Sequence, residues 1–109
     1  MSITHAASGE VIDIRALGAS LASTQTRTLV KSNAVEILRM IVPAGKEIPT
    51  HKTKSEVIVQ CLEGKIAFTV NGKTHDLEAG QLLHMPTGEP HGLRGIVDGS
   101  LLVTILLAK

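Results

Sequence analysis

Apolar residues along this chain alternate with polar ones, or gather in short blocks that Gly, Pro and polar clusters separate. A period of two over short segments predicts strands rather than helices, in an all-β sandwich or barrel. The expected strands cover residues 11–14, 24–29, 35–42, 57–62, 66–70, 73–77, 82–85, 91–96 and 101–107. Residues 16–23 have room for one helical turn. An Asn-Gly pair at 71 and 72 suits the positive φ angles of a two-residue hairpin turn. It sets a register in which Val70 faces Lys73, Phe68 faces His75 and Ile66 faces Leu77. Residues 1–30 are expected to add strands and a connecting turn to the same domain, whose core spans 31–109.

Two runs are apolar on both faces. Val35, Ile37 and Ile41 alternate with Leu38, Met40 and Val42, and Leu101, Val103, Ile105 and Leu107 alternate with Leu102 and Leu106. An antiparallel strand normally shows water one of its faces, so the second apolar face needs a cover. A second copy of the chain is a natural cover, and a homodimer is the expectation.

Composition narrows the function classes. At 109 residues the chain fits one domain with a real core. Eleven Lys and Arg against 10 Asp and Glu leave a charge of +1, which provides no field for nucleic acid. Phe68 is the sole residue among Phe, Tyr and Trp, so stacking platforms for single strands are missing. No segment reaches membrane-spanning length, and the single cysteine, Cys61, permits no internal disulfide. These features lead to the expectation of a cytoplasmic protein without nucleic-acid or membrane partners. There is no nucleophile elbow, phosphate loop, Cys-x-x-Cys or dinucleotide fingerprint.

The positive signal is two spaced blocks. The first, GKEIPTHKTKSEVIVQCLEG, carries Gly45, His51, Thr53, Val57 and Gly64. The second, GQLLHMPTGEPHGLRG, carries Gly80, Pro86, Gly88, His91 and Gly95. Together they resemble the two motifs of the cupin superfamily, and the chain resembles a small RmlC-like cupin. The resemblance implies a double-stranded β-helix, a jelly-roll barrel with a pocket at its open end and, in many members, a dimer. It also implies a metal site, and here the chain departs from the pattern. The family's second His falls on Thr53, its Glu on Val57, and the terminal Asn of the second motif on Gly95.

By this resemblance His51 and His91 stand at ligand positions for Zn, Fe, Mn or Ni. Two imidazoles are half a set, because catalytic zinc uses three protein ligands and structural zinc four. Candidates for a third ligand are His84, His75 and Glu56. A one-residue shift turns Glu56 to the face opposite Val57 unless a bulge intervenes. His84 reads either as a third imidazole or as a hydrogen-bonded wall residue, and His75 faces Phe68 as a core residue or a barrel lining. Cys61 shares the parity of Val57, but four residues at about 3.3 Å each put it roughly 13 Å further along the strand. It reads as a core residue. Lys52 and Lys54 form a solvated rim, while Arg39 and Arg94 read either as anchors for an anion or as salt-bridge partners.

Two functions follow. The leading one is a small-molecule binder with a degenerate, metal-free site, its pocket lined by His51, Thr53, Val57, Val59, His84 and His91. The alternative is a metal-dependent cupin enzyme of dioxygenase, isomerase or decarboxylase type, using His51, His91 and a third ligand.

Overall fold

The computed structural model describes residues 5–86 and 89–107, so Gly88 of the second motif lies outside the described residues. A short 3-10 helix, Gly18–Ser23, is followed by seven strands: β1 (Arg27–Lys31), β2 (Val35–Val42), β3 (Glu47–His51), β4 (Glu56–Val70), β5 (Lys73–Glu78), β6 (Leu82–Met85) and β7 (His91–Leu106). All pairings are antiparallel, and the order is β1-β2-β7-β4-β5, with β3 on β7 and β6 on β4.

Strands β4 and β7 are long enough to belong to both layers. The first half of β4 and the second half of β7 join β1, β2 and β6, with Val57 opposite Ile105, Val59 opposite Val103 and Cys61 opposite Leu101. Their other halves join β3 and β5, with Ile66 opposite Gly95 and Phe68 opposite Leu93. The core lies between the layers, where Val42, Val59, Cys61, Ile66, Phe68 and Leu101 are almost fully buried. This is the all-β jelly-roll barrel that the sequence predicts.

The change of layer rests on register shifts between Cys61 and Ile66. Gly64 sits there at φ 81°, and a Cβ would run into the Asp98 and Gly99 backbone of β7. Positive φ and a backbone neighbour together demand glycine. Gly95 answers the missing Asn in a similar way. A Cβ at this position would collide with the Pro43 carbonyl, so the position has no room for any side chain.

The hairpin forms as expected, with Asn71 at φ 51° and Gly72 at φ 80°, and with Val70, Phe68 and Ile66 opposite Lys73, His75 and Leu77. Two expectations are corrected, and one strand is added to those expected. Residues 11–14 form no strand, and Val11 is 89% exposed. The pairs of short strands at 57–62 and 66–70, and at 91–96 and 101–107, are single long strands. β3, with Pro49 at its centre, joins the sheet at an edge where a missing N–H is tolerated.

The second face of β2 is covered in part by the chain itself. Arg39 is buried there. It donates to the Arg15 carbonyl at 2.7 Å, to the Glu63 carboxylate at 2.9 Å and, through Nε, to the Ser100 hydroxyl at 3.2 Å. The other Glu63 oxygen accepts the backbone N–H groups of Leu17 and Gly18. The bulge after Cys61 turns Glu63 outward, and that carboxylate pins the N-terminal segment to the barrel wall. No helix among the described residues is long and apolar enough to cross a membrane.

Burial alone would raise the Glu63 carboxyl, but hydrogen bonds from Ser100, Gly18, Leu17 and Arg39 outweigh it and hold the group below its ordinary value of 4.5. A depressed carboxylate stabilises the fold fully above its unfolded value, and that contribution disappears as pH falls through the folded value. Wild-type stability to urea is therefore expected to decline as pH drops below 4.5, and Glu63→Gln is expected to flatten that decline.

Candidate functional site

The start of β7 lies between β3 and β4, so His91 is opposite His51 on one side and Val70 on the other. The two imidazole centroids are 4.4 Å apart with planes tilted by 58°. Phe68, two residues before Val70 on the same face, lies parallel to His91 at 5.9 Å between centroids and 9° between planes. His91 is buried and His51 is exposed, so the pair runs from the interior to the mouth of the barrel.

Local backbone geometry sets the chemistry of both rings. Nδ1 of His51 lies 3.0 Å from the Pro49 carbonyl, and Nδ1 of His91 lies 3.0 Å from the Glu89 carbonyl. A carbonyl only accepts, so each Nδ1 carries the hydrogen and donates it. In the neutral ring the remaining Nε2 is then a lone-pair acceptor.

Behind the pair lies a cavity of about 150 Å³, walled by Leu38, Met40, Val57, Val59, Met85 and Val103 among others. Thr53 also lines it, with its hydroxyl donated to the Ser55 carbonyl at 3.2 Å. A larger groove of about 620 Å³ runs beneath the N-terminal segment, but the guanidinium at its floor, Arg39, is already engaged by Glu63.

The structure brings His51, Thr53, Val57, Val59 and His91 together around one cavity. His84 is not among them, which corrects its expected place in the pocket. Opposite Ile58 on the outer face, it meets Glu56 at 2.6 Å, and both side chains are about half exposed. Strand parity is the reason. Met85 is opposite Val57 and points inward, so its neighbour His84 points outward. Glu56 follows the same rule with no bulge to rescue it. His75 does not line the cavity either, although it is opposite Phe68. Cys61 is fully buried, and burial pushes its thiol up. Arg94 is exposed and opposite Glu47, away from the cavity, and Lys52 and Lys54 are exposed.

The sequence reading missed Met40, Leu38 and Met85 as lining residues. Alternation in β2 carried the signal: Leu38 and Met40 share a face with Val42, while Arg39 marks the other.

The donor set can be tested against a resident metal. Nδ1 donation to a backbone carbonyl is the usual support for a metal-binding histidine, so His51 and His91 are individually suitable. Thr53 is a neutral oxygen already turned to Ser55, and Val57 has nothing to coordinate with. Among the described residues no group of three or more His, Cys, Asp or Glu converges to hold an ion. Two nitrogens do not fit a metal held by three or four protein ligands.

The model of a family described as Cupin domain matches residues 38–106. The chain belongs to the cupin family. Solved structures agree at the level of fold. A conserved protein of unknown function from Streptococcus pyogenes is similar at TM-score 0.76 and 24% identity, covering 100% of this chain and 97% of that one. A cupin superfamily protein from Desulfitobacterium hafniense matches at TM-score 0.72 and 19% identity, over 76% of each chain. A mutant form of the salicylate 1,2-dioxygenase from Pseudoaminobacter salicylatoxidans matches at TM-score 0.69 and 22% identity, over 73% of this chain but 26% of the enzyme. No curated protein matches the chain. Cupin family members often bind metals.

Proposed function

We propose that this cupin is a cytoplasmic small-molecule-binding protein, taking one largely apolar ligand into the barrel without a resident metal. The supporting observation is the cavity: apolar walls, closed at the mouth by two oriented imidazoles. A few polar groups that orient and many apolar groups that exclude water make the usual small-ligand site. His51 and His91 orient the ligand, and Thr53, Val57 and Val59 shape its surroundings. A single buried thiol suits a reducing compartment. The metal-enzyme reading needs a third ligand, and His84, His75 and Glu56 all lie off the cavity.

A thermal-shift screen of neutral and charged small molecules tests the proposal, comparing wild type with His51→Ala and His91→Ala. Hits whose stabilisation falls in the variants support it. Hits that stabilise all three proteins equally place the ligand elsewhere and contradict it.

We also propose that the chain pairs with itself through the outer face of β4, β6 and β7. There Leu82 is 58% and Leu106 37% exposed, beside half-buried Ile58 and Leu102. Light scattering at micromolar concentration is expected to give the mass of two chains, and Leu82→Lys with Leu106→Lys that of one. A wild-type monomer would contradict the pairing.

A further inference from the structure

The site commits its ligand to one hydrogen-bond polarity. Both Nδ1 hydrogens are used by backbone carbonyls, and neither Nε2 forms a hydrogen bond among the described residues. Two acceptors thus stand side by side at the mouth of the cavity, with ring centres 4.4 Å apart. A ligand seated here covers those acceptors, and an acceptor covered without a donor is costly, so a ligand that brings a hydrogen is favoured over one that brings only lone pairs. The walls set a second condition. Among the described residues that line the cavity there is no lysine or arginine, so nothing there offsets the desolvation of an anion.

Size and shape set a third. The cavity measures about 150 Å³. An engineered protein cavity of about 150 Å³ with aliphatic and aromatic walls takes up one benzene molecule. One wall near the mouth is aromatic, because the parallel Phe68 and His91 rings both line the cavity. A planar ring has the right volume and a surface to lie against, and an offset stack or edge contact with such a wall adds a favourable term.

Resting on the binding reading above, we propose that the ligand class is a neutral, single-ring phenol, whose ring fills the apolar cavity and whose hydroxyl donates to Nε2 of His51 or His91. A second hydroxyl on the adjacent carbon would serve the other acceptor. The polarity argument separates the class from its near neighbours. A ring ether of similar size supplies an acceptor where the site needs a donor. A ring carboxylate sets its oxygens against two nitrogen lone pairs and brings an uncompensated charge.

The test titrates the ¹⁵N-labelled full chain with phenol, anisole and benzoate, following backbone amide shifts at about pH 8, below the range where a phenol hydroxyl ionises. Phenol is expected to shift the amides of residues around the cavity and to bind at least about tenfold tighter than anisole, about 1.4 kcal/mol. Benzoate is expected to leave those amides unmoved. The doubly substituted His51→Phe, His91→Phe chain is expected to lose the preference for phenol over anisole. Should it fail to fold, the three wild-type titrations still decide. Equal binding of phenol and anisole at the cavity would leave the pocket standing and overturn the donor assignment, as would tighter binding of benzoate. No shift at the cavity with any of the three, up to their solubility limits, would overturn the phenol class while leaving larger ligands to the screen above.

Discussion

Replacing Arg39 with alanine is expected to destabilise the protein by about 3–5 kcal/mol, the usual result of leaving one half of a buried ion pair without its partner. The Arg39 and Glu63 side chains are 7% and 12% exposed. Glu63 keeps hydrogen bonds from Ser100, Leu17 and Gly18, but loses the cation that pairs with it. Against a typical domain stability of about 5–15 kcal/mol this is a large share. The double variant Arg39→Met, Glu63→Gln removes both charges and keeps an acceptor for the Leu17 and Gly18 N–H groups. It is expected to recover most of the loss, because buried pairs exchanged for uncharged groups often break even. Urea denaturation of the two variants checks both statements. A loss below about 1 kcal/mol in Arg39→Ala would place the pair with solvent-exposed salt bridges instead.

The second large effect is a gain. Thr53 and Val57 line the same cavity as His51 and His91, and the motif resemblance implies that they occupy the family's other two ligand positions. Thr53→His combined with Val57→Glu is expected to raise zinc affinity by at least about a hundredfold, since a full four-ligand set is worth roughly 10–16 kcal/mol in small zinc domains. Without metal the variant is expected to be less stable than wild type, because Val57 is 6% exposed and a glutamate there is buried without a cation. Zinc at about 100 times its Kd would then return about 2.7 kcal/mol, read as a rise in Tm that the wild type does not show. A folded variant with no zinc-dependent rise would mean that more than two missing side chains separates this barrel from a metal centre.

Much of this fold is legible in the sequence because alternation and turn chemistry act locally. Asn71 and Gly72 fix the β4–β5 register, and the bounds of β2 and β6 follow from apolar runs that stop at Gly, Pro or Ser. What alternation cannot carry is a change of parity. Cys61 and Glu63 would share a face in a regular strand, yet the bulge between them puts one in the core and the other on the outer wall. The same bulge joins two apparent strands into one. β3 escaped notice because its five residues, Glu47–His51, are mostly polar and contain a proline, so nothing in them repeats. Its place is decided by a distant partner, β7.

For the site, the two motif histidines were readable by position, and the structure places them in contact. Parity alone left both faces of the His84 strand open. The pairing of Met85 with Val57 closes that question, a tertiary contact between residues far apart in the chain. The cover over Arg39 and Ile41 is another case, for which the sequence suggested a second copy of the chain. Part of it comes from the N-terminal segment, through Arg15, Leu17, Gly18 and the Thr26 hydroxyl, which accepts the Ile41 N–H. The Leu17 and Gly18 contacts depend on the Glu63 bulge, and no local pattern announces it.

The most direct test of a binding pocket without a resident metal is the metal content of the purified, untagged protein, by inductively coupled plasma mass spectrometry, after growth with iron, zinc, manganese and nickel. The wild type and the His51→Ala, His91→Ala double variant are expected to carry the same small, substoichiometric traces. Near-stoichiometric metal in the wild type that disappears in the variant would contradict the account and make the barrel a metal centre.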